Sequence, residues 1–130
     1  MARILLIDDD EAVRTILRLV LTYHGHTVVE AANGRVGLQL FRDGDTDLVI
    51  TDLVMPDTEG FEVLAEIKKL PPRVKVIVIT GGVRGKTADF LEMALRLGAH
   101  KALAKPFAQA ALLAAIDELI PPAAMRVPAG

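Results

Sequence analysis

Cysteine is missing from this sequence of 130 residues. Disulfide bonds and thiol chemistry are therefore excluded, and we expect a reducing compartment such as the cytoplasm. A strong excess of one charge is missing too, because the formal net charge is -2 and acids and bases are interspersed. Without a block of basic residues, we expect neither direct binding to nucleic acid nor binding to a membrane surface.

Long hydrophobic runs are also absent. The apolar run nearest the N-terminus, Ile4 to Ile7, is too short for a signal peptide or a membrane span. Apolar residues nevertheless make up 52% of the chain. That content fits a buried sheet with helices covering both of its faces. The length predicts a single domain.

Short aliphatic runs predict the strands, and four of them lead directly to polar residues. These polar residues are Asp8 with Asp9, Asp52, Thr80 and Lys105. A fifth strand is predicted over Thr27 to Ala31. Segments with helical periodicity alternate with the strands. Five strand-then-helix repeats predict an α/β fold: a doubly wound, flavodoxin-like parallel sheet with strand order 2-1-3-4-5.

Capping and stop signals delimit the predicted helices. Asp10 and Asn33 are predicted N-caps, and Gly25 and Gly98 are predicted stop residues. The first helix is predicted to bury one apolar stripe, formed by Val13, Ile16, Leu17, Val20 and Leu21. The fourth and fifth helices are predicted over Thr87 to Leu97 and Phe107 to Ile120.

The carboxyl ends of parallel strands lie along one edge of a sheet, so the polar strand ends should meet there. Magnesium prefers hard oxygen ligands and usually takes one or two carboxylates. Asp9 and Asp52 could bind Mg²⁺ directly, Asp8 through a water, and Val54 through its backbone carbonyl. Asp52 would then be the nucleophile that accepts a phosphoryl group. Lys105 would neutralise a phosphoryl oxygen, and the Thr80 hydroxyl would donate to another.

Each of these residues alone is most often a cap, a turn or a solvated charge. Their occurrence together, in order and on the expected strands, favours a functional site. The chain resembles a receiver domain of a two-component response regulator. The motifs that carry the resemblance are Ile-Leu-Leu-Ile-Asp8-Asp9, Leu-Val-Ile-Thr-Asp52-Leu-Val-Met-Pro56, Gly60, Val-Ile-Val-Ile-Thr80 and Ala-Lys105-Pro106-Phe107.

The resemblance implies a signalling domain over residues 1–122 that is not an enzyme beyond its own phosphorylation and slow dephosphorylation. Its phosphoryl donor would be a histidine kinase or a histidine phosphotransfer domain, and Mg²⁺ its cofactor. The resemblance also implies a cis peptide bond before Pro106. Residues 123–130 are expected to form a frayed tail or the start of a linker. Asp8 with Asp9, which directly follow the strand, are preferred as the acidic pair over Asp9 with Asp10.

Three departures from the family pattern carry expectations of their own. Ala102 stands where receivers usually have an aromatic switch residue, so a signal should run through the backbone of residues 81–86 or through partner contacts. Val54 and Gly82 cannot orient an attacking water, which predicts slow dephosphorylation. The apolar fourth and fifth helices could form a homodimer or effector surface.

Two other functions remain open. A pseudo-receiver that docks without being phosphorylated is favoured only by Ala102. A phosphatase of the haloacid dehalogenase type could use Asp8 to Asp10 as its signature, but it would leave Asp52 without a role.

Overall fold

The computed structural model describes residues 2–53, 60–69, 74–81 and 87–121. Strands and helices alternate along the chain. The strands are β1 Arg3–Ile7, β2 Thr27–Ala31, β3 Leu48–Asp52, β4 Lys75–Thr80 and β5 Lys101–Ala104. The helices are α1 Glu11–Tyr23, α2 Gly34–Asp43, α3 Gly60–Lys68, α4 Thr87–Arg96 and α5 Gln109–Leu119. Among the described residues, no helix is long and apolar enough to cross a membrane.

The strands form one parallel sheet in the order β2-β1-β3-β4-β5. The predicted strand order is therefore confirmed. The strands also end level with one another, because Ile7 lies opposite both Ala31 and Thr51, and Thr80 lies opposite Ala104. This register brings the residues that follow the strands to a single edge.

The sheet is buried on both faces because its side chains alternate between two apolar clusters. Ile4 and Leu6 of β1 pack into the cluster that contains residues of α1 and α5. Leu5 and Ile7 point to the other face, which carries residues of α2, α3 and α4. Burial of a large aliphatic side chain contributes about 1.5–3 kcal/mol, so these alternating rows hold the strands in register. Helices on both faces are confirmed.

The predicted N-caps of α1 and α2 and the predicted glycine stops after α1 and α4 are found. Asp10 Oδ1 accepts hydrogen bonds from the backbone N–H groups of Ala12 at 2.9 Å and Val13 at 3.3 Å. Asn33 Oδ1 accepts from Val36 N at 2.9 Å. Gly25 and Gly98 follow α1 and α4 with φ values of 90° and 111°, which disfavour any residue with a Cβ. Capping and stop signals therefore position α1 and α2 after the first two strands.

Two helix predictions need correction. Only Leu17 and Leu21 of the predicted α1 stripe are buried, whereas Ile16 is 53% exposed. Val13, four residues before Leu17, is partly buried against the same apolar cluster, whereas Ile16 is turned about 100° away from Leu17. The fifth helix begins at Gln109 rather than Phe107, because Ala108 is extended and Phe107 packs against the apolar cluster beside α5.

Candidate metal centre

Three carboxylates meet at the carboxyl edge of the sheet. Asp8, Asp9 and Asp52 each bring one oxygen to within 4.8 Å of the others. Asp8 is fully buried, Asp52 is 5% exposed, and Asp9 is exposed to solvent. Carboxylates this close repel one another, so the site favours a positive charge among them. A hard divalent cation fits this all-oxygen donor set.

Lys105 supplies one such positive charge. Its Nζ donates to Asp8 Oδ2 at 2.8 Å and to Asp52 Oδ2 at 2.9 Å. Burial alone would lower the pKa of the lysine. The hydrogen bonds and charges of the two aspartates outweigh burial, so the pKa of Lys105 is raised above its ordinary value. Lys105 is therefore a cationic partner that links the residue after β1 and the last residue of β3 to the end of β5.

Asp8 is held firmly in place. Its backbone N–H donates to the Ala31 carbonyl at 3.1 Å, which ties it to β2. Its Oδ1 accepts from Asp10 N at 2.9 Å, while its Oδ2 is bound by Lys105. Both carboxylate oxygens thus already have protein partners, an arrangement compatible with cation contact through water. Asp10 is used as the cap of α1 and does not belong to the acidic group of Asp8, Asp9 and Asp52.

Thr80 ends β4 beside this group. Thr80 is fully buried, and its Oγ1 has no hydrogen-bond partner within the part of the chain that the structure describes. Its carbonyl accepts from the Lys105 backbone N–H at 2.7 Å, which keeps β4 and the lysine together. Buried hydroxyls are almost always paired, so this one can take a further hydrogen-bond partner at the edge of the sheet.

Two further residues, Gly81 and Arg14, contribute to the site in ways that no sequence motif indicates. A Cβ on Gly81 would lie 2.6 Å from Lys105 Cβ, so the missing side chain lets the lysine approach β4. Arg14 Nη1 donates to the Asp8 carbonyl at 2.7 Å. The sequence does not reveal these roles, because the fold alone brings Gly81 next to Lys105 and turns Arg14 back towards Asp8.

Of the remaining predicted site residues, Pro106 and Ala102 lie in the described part of the chain, and Val54 and Gly82 do not. The Lys105–Pro106 peptide bond is cis, and Ala102 lies on β5, partly exposed and without a ring. Val54 and Gly82, to which a backbone ligand and slow dephosphorylation were assigned, lie outside the described residues. The predicted tail at 123–130 also lies outside them.

Comparison with known proteins decides the family. The profile of the family described as "Response regulator receiver domain" matches residues 4–117. This chain belongs to that family. The fold, the strand order and the acidic group all agree with the assignment. The chain is therefore a receiver domain of a two-component signalling protein.

Relatives of this receiver domain differ in length. The DNA-binding transcriptional regulator NtrC of Azospirillum brasilense is 37% identical over 99% of the chain, which spans only 27% of that protein. Chemotaxis protein CheY of Thermotoga maritima is 31% identical, with 90% of the chain and 96% of CheY covered. The structure of response regulator protein TrrA from Thermotoga maritima, in complex with Mg(2+)-BeF, is 32% identical with a TM-score of 0.79, covering 92% of the chain and 100% of TrrA.

Proposed function

We propose that Asp52 accepts a phosphoryl group from a phosphohistidine of a histidine kinase or of a histidine phosphotransfer domain, in a Mg²⁺-dependent reaction. The observation that carries this proposal is the pair of contacts from Lys105 Nζ to Asp8 and Asp52 beside the exposed Asp9. One Asp52 oxygen attacks phosphorus, and the phosphorus–nitrogen bond to the donor histidine breaks. The histidine nitrogen keeps the electron pair and takes up a proton.

The donor set supports magnesium as the cofactor. Asp9 and Asp52 would bind the cation directly, Asp8 would hold a water on it, and the Val54 carbonyl is proposed from the sequence as a further ligand. Bound there, the cation would offset the repulsion among the acids and polarise the phosphoryl oxygens. The structure of TrrA, whose whole length is covered by the match to this chain, is in complex with Mg(2+)-BeF. That likeness supports the same ion in the same kind of site.

Lys105 and Thr80 would bind the product. The Lys105 ammonium already lies 2.9 Å from Asp52 Oδ2, so it can follow the new negative charge with a small movement. The Thr80 hydroxyl, which lacks a partner among the described atoms, would gain one by donating to a phosphoryl oxygen. An aspartyl phosphate adds charge and acceptor oxygens, and these can draw neighbouring groups into a second arrangement.

The output would go to an effector or to a second copy of the chain. Met93 and Leu97, four residues apart at the end of α4, are 48% and 49% exposed, so two large apolar side chains face solvent on the same side of that helix. Ala102 on neighbouring β5 has no ring to change position, so the signal would pass through backbone and partner contacts. Sedimentation of the unphosphorylated and phosphorylated chain over a range of concentrations tests the dimer, and a single monomeric species would exclude it.

Slow loss of the phosphoryl group is part of the proposal. Neither Val54 nor Gly82 carries a polar side chain that could orient a water. A positioned polar group of this kind can raise the reaction rate about a hundredfold or more. Val54→Asn should therefore shorten the lifetime of the phosphorylated protein. An unchanged lifetime would refute this assignment.

A pseudo-receiver that is never phosphorylated remains a second candidate, because Ala102 departs from the usual aromatic residue. Intact-mass measurement after incubation with acetyl phosphate and Mg²⁺ separates the two. Phosphorylation of Asp52 predicts one added phosphoryl group on the wild type and on the exposed-residue control Asp89→Asn, and none on Asp52→Asn or with EDTA. No added mass on the wild type would favour the pseudo-receiver.

A further inference from the structure

Arg14 of α1 reaches back to the segment that carries the acidic group. Its Nη1 donates to the Asp8 carbonyl at 2.7 Å. Its Nε lies 3.4 Å from Oε1 of Glu30 on β2, and the other Glu30 oxygen lies 2.9 Å from Arg18 Nε. The Arg14 side chain is 14% exposed, whereas that of Arg18 is 40% exposed. Arg14 is therefore a mostly covered link between β2 and Asp8.

This contact completes the bonding around Asp8. The backbone N–H and both carboxylate oxygens of Asp8 are bound by Ala31, Asp10 and Lys105. The carbonyl that Arg14 binds belongs to the peptide unit that joins Asp8 to Asp9. A charged donor makes a shorter and stronger hydrogen bond than a neutral one. Arg14 thus fixes the plane from which the exposed Asp9 carboxylate projects.

We propose that Arg14, held by Glu30, is a positioning residue that sets the affinity of the acidic group for Mg²⁺. This inference rests on the proposed function, since it concerns the same cation site. Arg14 acts through the Asp8–Asp9 peptide unit, since its contacts among the described residues are with the Asp8 carbonyl and with Glu30. Its positive charge alone would oppose a cation, because like charges repel. Positioning and simple electrostatics therefore predict opposite effects when Arg14 is replaced.

Calorimetric titration of the full chain with MgCl₂ distinguishes these effects. Arg14→Met keeps an unbranched apolar stem but removes the charge and the donors. We expect it to weaken Mg²⁺ binding about tenfold, at the lower end of the losses seen when groups that orient metal ligands are removed. Unchanged or tighter binding would overturn the inference. The control Arg96→Met removes an exposed helix arginine that pairs with Glu92 at 2.8 Å, and it should leave the affinity unchanged.

Arg14→Lys provides a second test that does not change the charge. A single ammonium cannot hold the Asp8 carbonyl and Glu30 together as a planar guanidinium does. We expect a measurable loss of Mg²⁺ affinity that is smaller than that of Arg14→Met. Wild-type affinity in Arg14→Lys would overturn the inference, and this variant decides the matter if circular dichroism shows that Arg14→Met does not fold.

The wild-type titration separates the two levels of the account. Binding of Mg²⁺ by the wild type, together with unchanged affinity in both Arg14 variants, refutes the role of Arg14 and leaves the proposed function intact. Absence of Mg²⁺ binding by the wild type refutes the cation site itself, and the role of Arg14 with it.

Discussion

Removal of the Lys105 ammonium should destabilise the folded protein in the absence of magnesium. It should also make the stability of the protein depend more strongly on magnesium. The lysine is the counterion of two carboxylates whose side chains are 0% and 7% exposed. In Lys105→Met, the side chain keeps its apolar stem while Asp8 and Asp52 lose their shared partner. The variant therefore isolates the loss of the charge from the loss of packing.

The magnitude follows from the burial of the pair. Breaking a buried ion pair by removing one partner costs about 3–5 kcal/mol. The Lys105 side chain is itself 25% exposed, so solvent screens part of the interaction. We therefore expect a loss near the lower end, about 3 kcal/mol in the free energy of unfolding. With a urea m value of about 1.5 kcal/mol per M, the midpoint should fall by about 2 M.

Urea denaturation in EDTA, followed by far-ultraviolet circular dichroism, measures this loss. The matched control is Lys101→Met on the same strand, because Lys101 pairs with Glu118 at the surface, where the two side chains are 39% and 63% exposed. Such a pair contributes about 0–1 kcal/mol. A midpoint shift in Lys105→Met no larger than that of Lys101→Met would refute the counterion role.

Magnesium should then restore stability to the variant. A ligand that binds only the folded state stabilises it by about 2.7 kcal/mol at a concentration of a hundred times its dissociation constant. In the wild type, Lys105 neutralises the same acids and reduces this effect. The increase in midpoint on adding MgCl₂ should therefore be larger for Lys105→Met than for the wild type. An equal or smaller increase would contradict the idea that lysine and cation share one acidic group.

Two further predictions concern stability. Nδ1 of His26 accepts the backbone N–H of Ala2, just before β1, and Nδ1 of His100 accepts that of Val76 on β4, both at 3.1 Å. Burial is the main cause that lowers the pKa of both rings. The unfolded chain then binds more protons below about pH 6.5, so the free energy of unfolding should fall from about pH 7.5 to about pH 5.5. The decrease should be smaller in a His26→Gln, His100→Gln variant, and an equal decrease would contradict the assignment. Leu112→Ala should lower the free energy of unfolding by about 2–5 kcal/mol, measured by urea denaturation, because Leu112 is fully buried. The control Leu113→Ala should lower it less because Leu113 is half-buried, and equal losses would contradict this difference in packing.

Residues at strand ends could be located from the sequence because parallel topology determines their position. An aliphatic run that stops at Asp8, Asp52 or Thr80 identifies both a strand and the edge at which it ends. The role of Asp10 as a cap could be predicted for the same local reason, since its carboxylate serves N–H groups two and three residues further on.

Contacts between elements were harder to predict. Ile16 and Leu17 are both apolar neighbours on α1, and only the position of the helix on the sheet determines that Leu17 is the buried one. Arg14 could be recognised only as a charge off the apolar stripe, because its partners lie on β2 and before α1. Gly81 likewise gains its significance from the approach of Lys105, which is distant in the sequence.

The most direct test is to identify which residue carries the phosphoryl group. Borohydride reduces an aspartyl phosphate to homoserine, so tandem mass spectrometry of the reduced, proteolysed chain locates the modified residue. After incubation with acetyl phosphate and Mg²⁺, we expect homoserine at position 52 and at no other aspartate. Homoserine at position 8 or 9, or at none, would contradict the assignment of Asp52 as the phosphoacceptor.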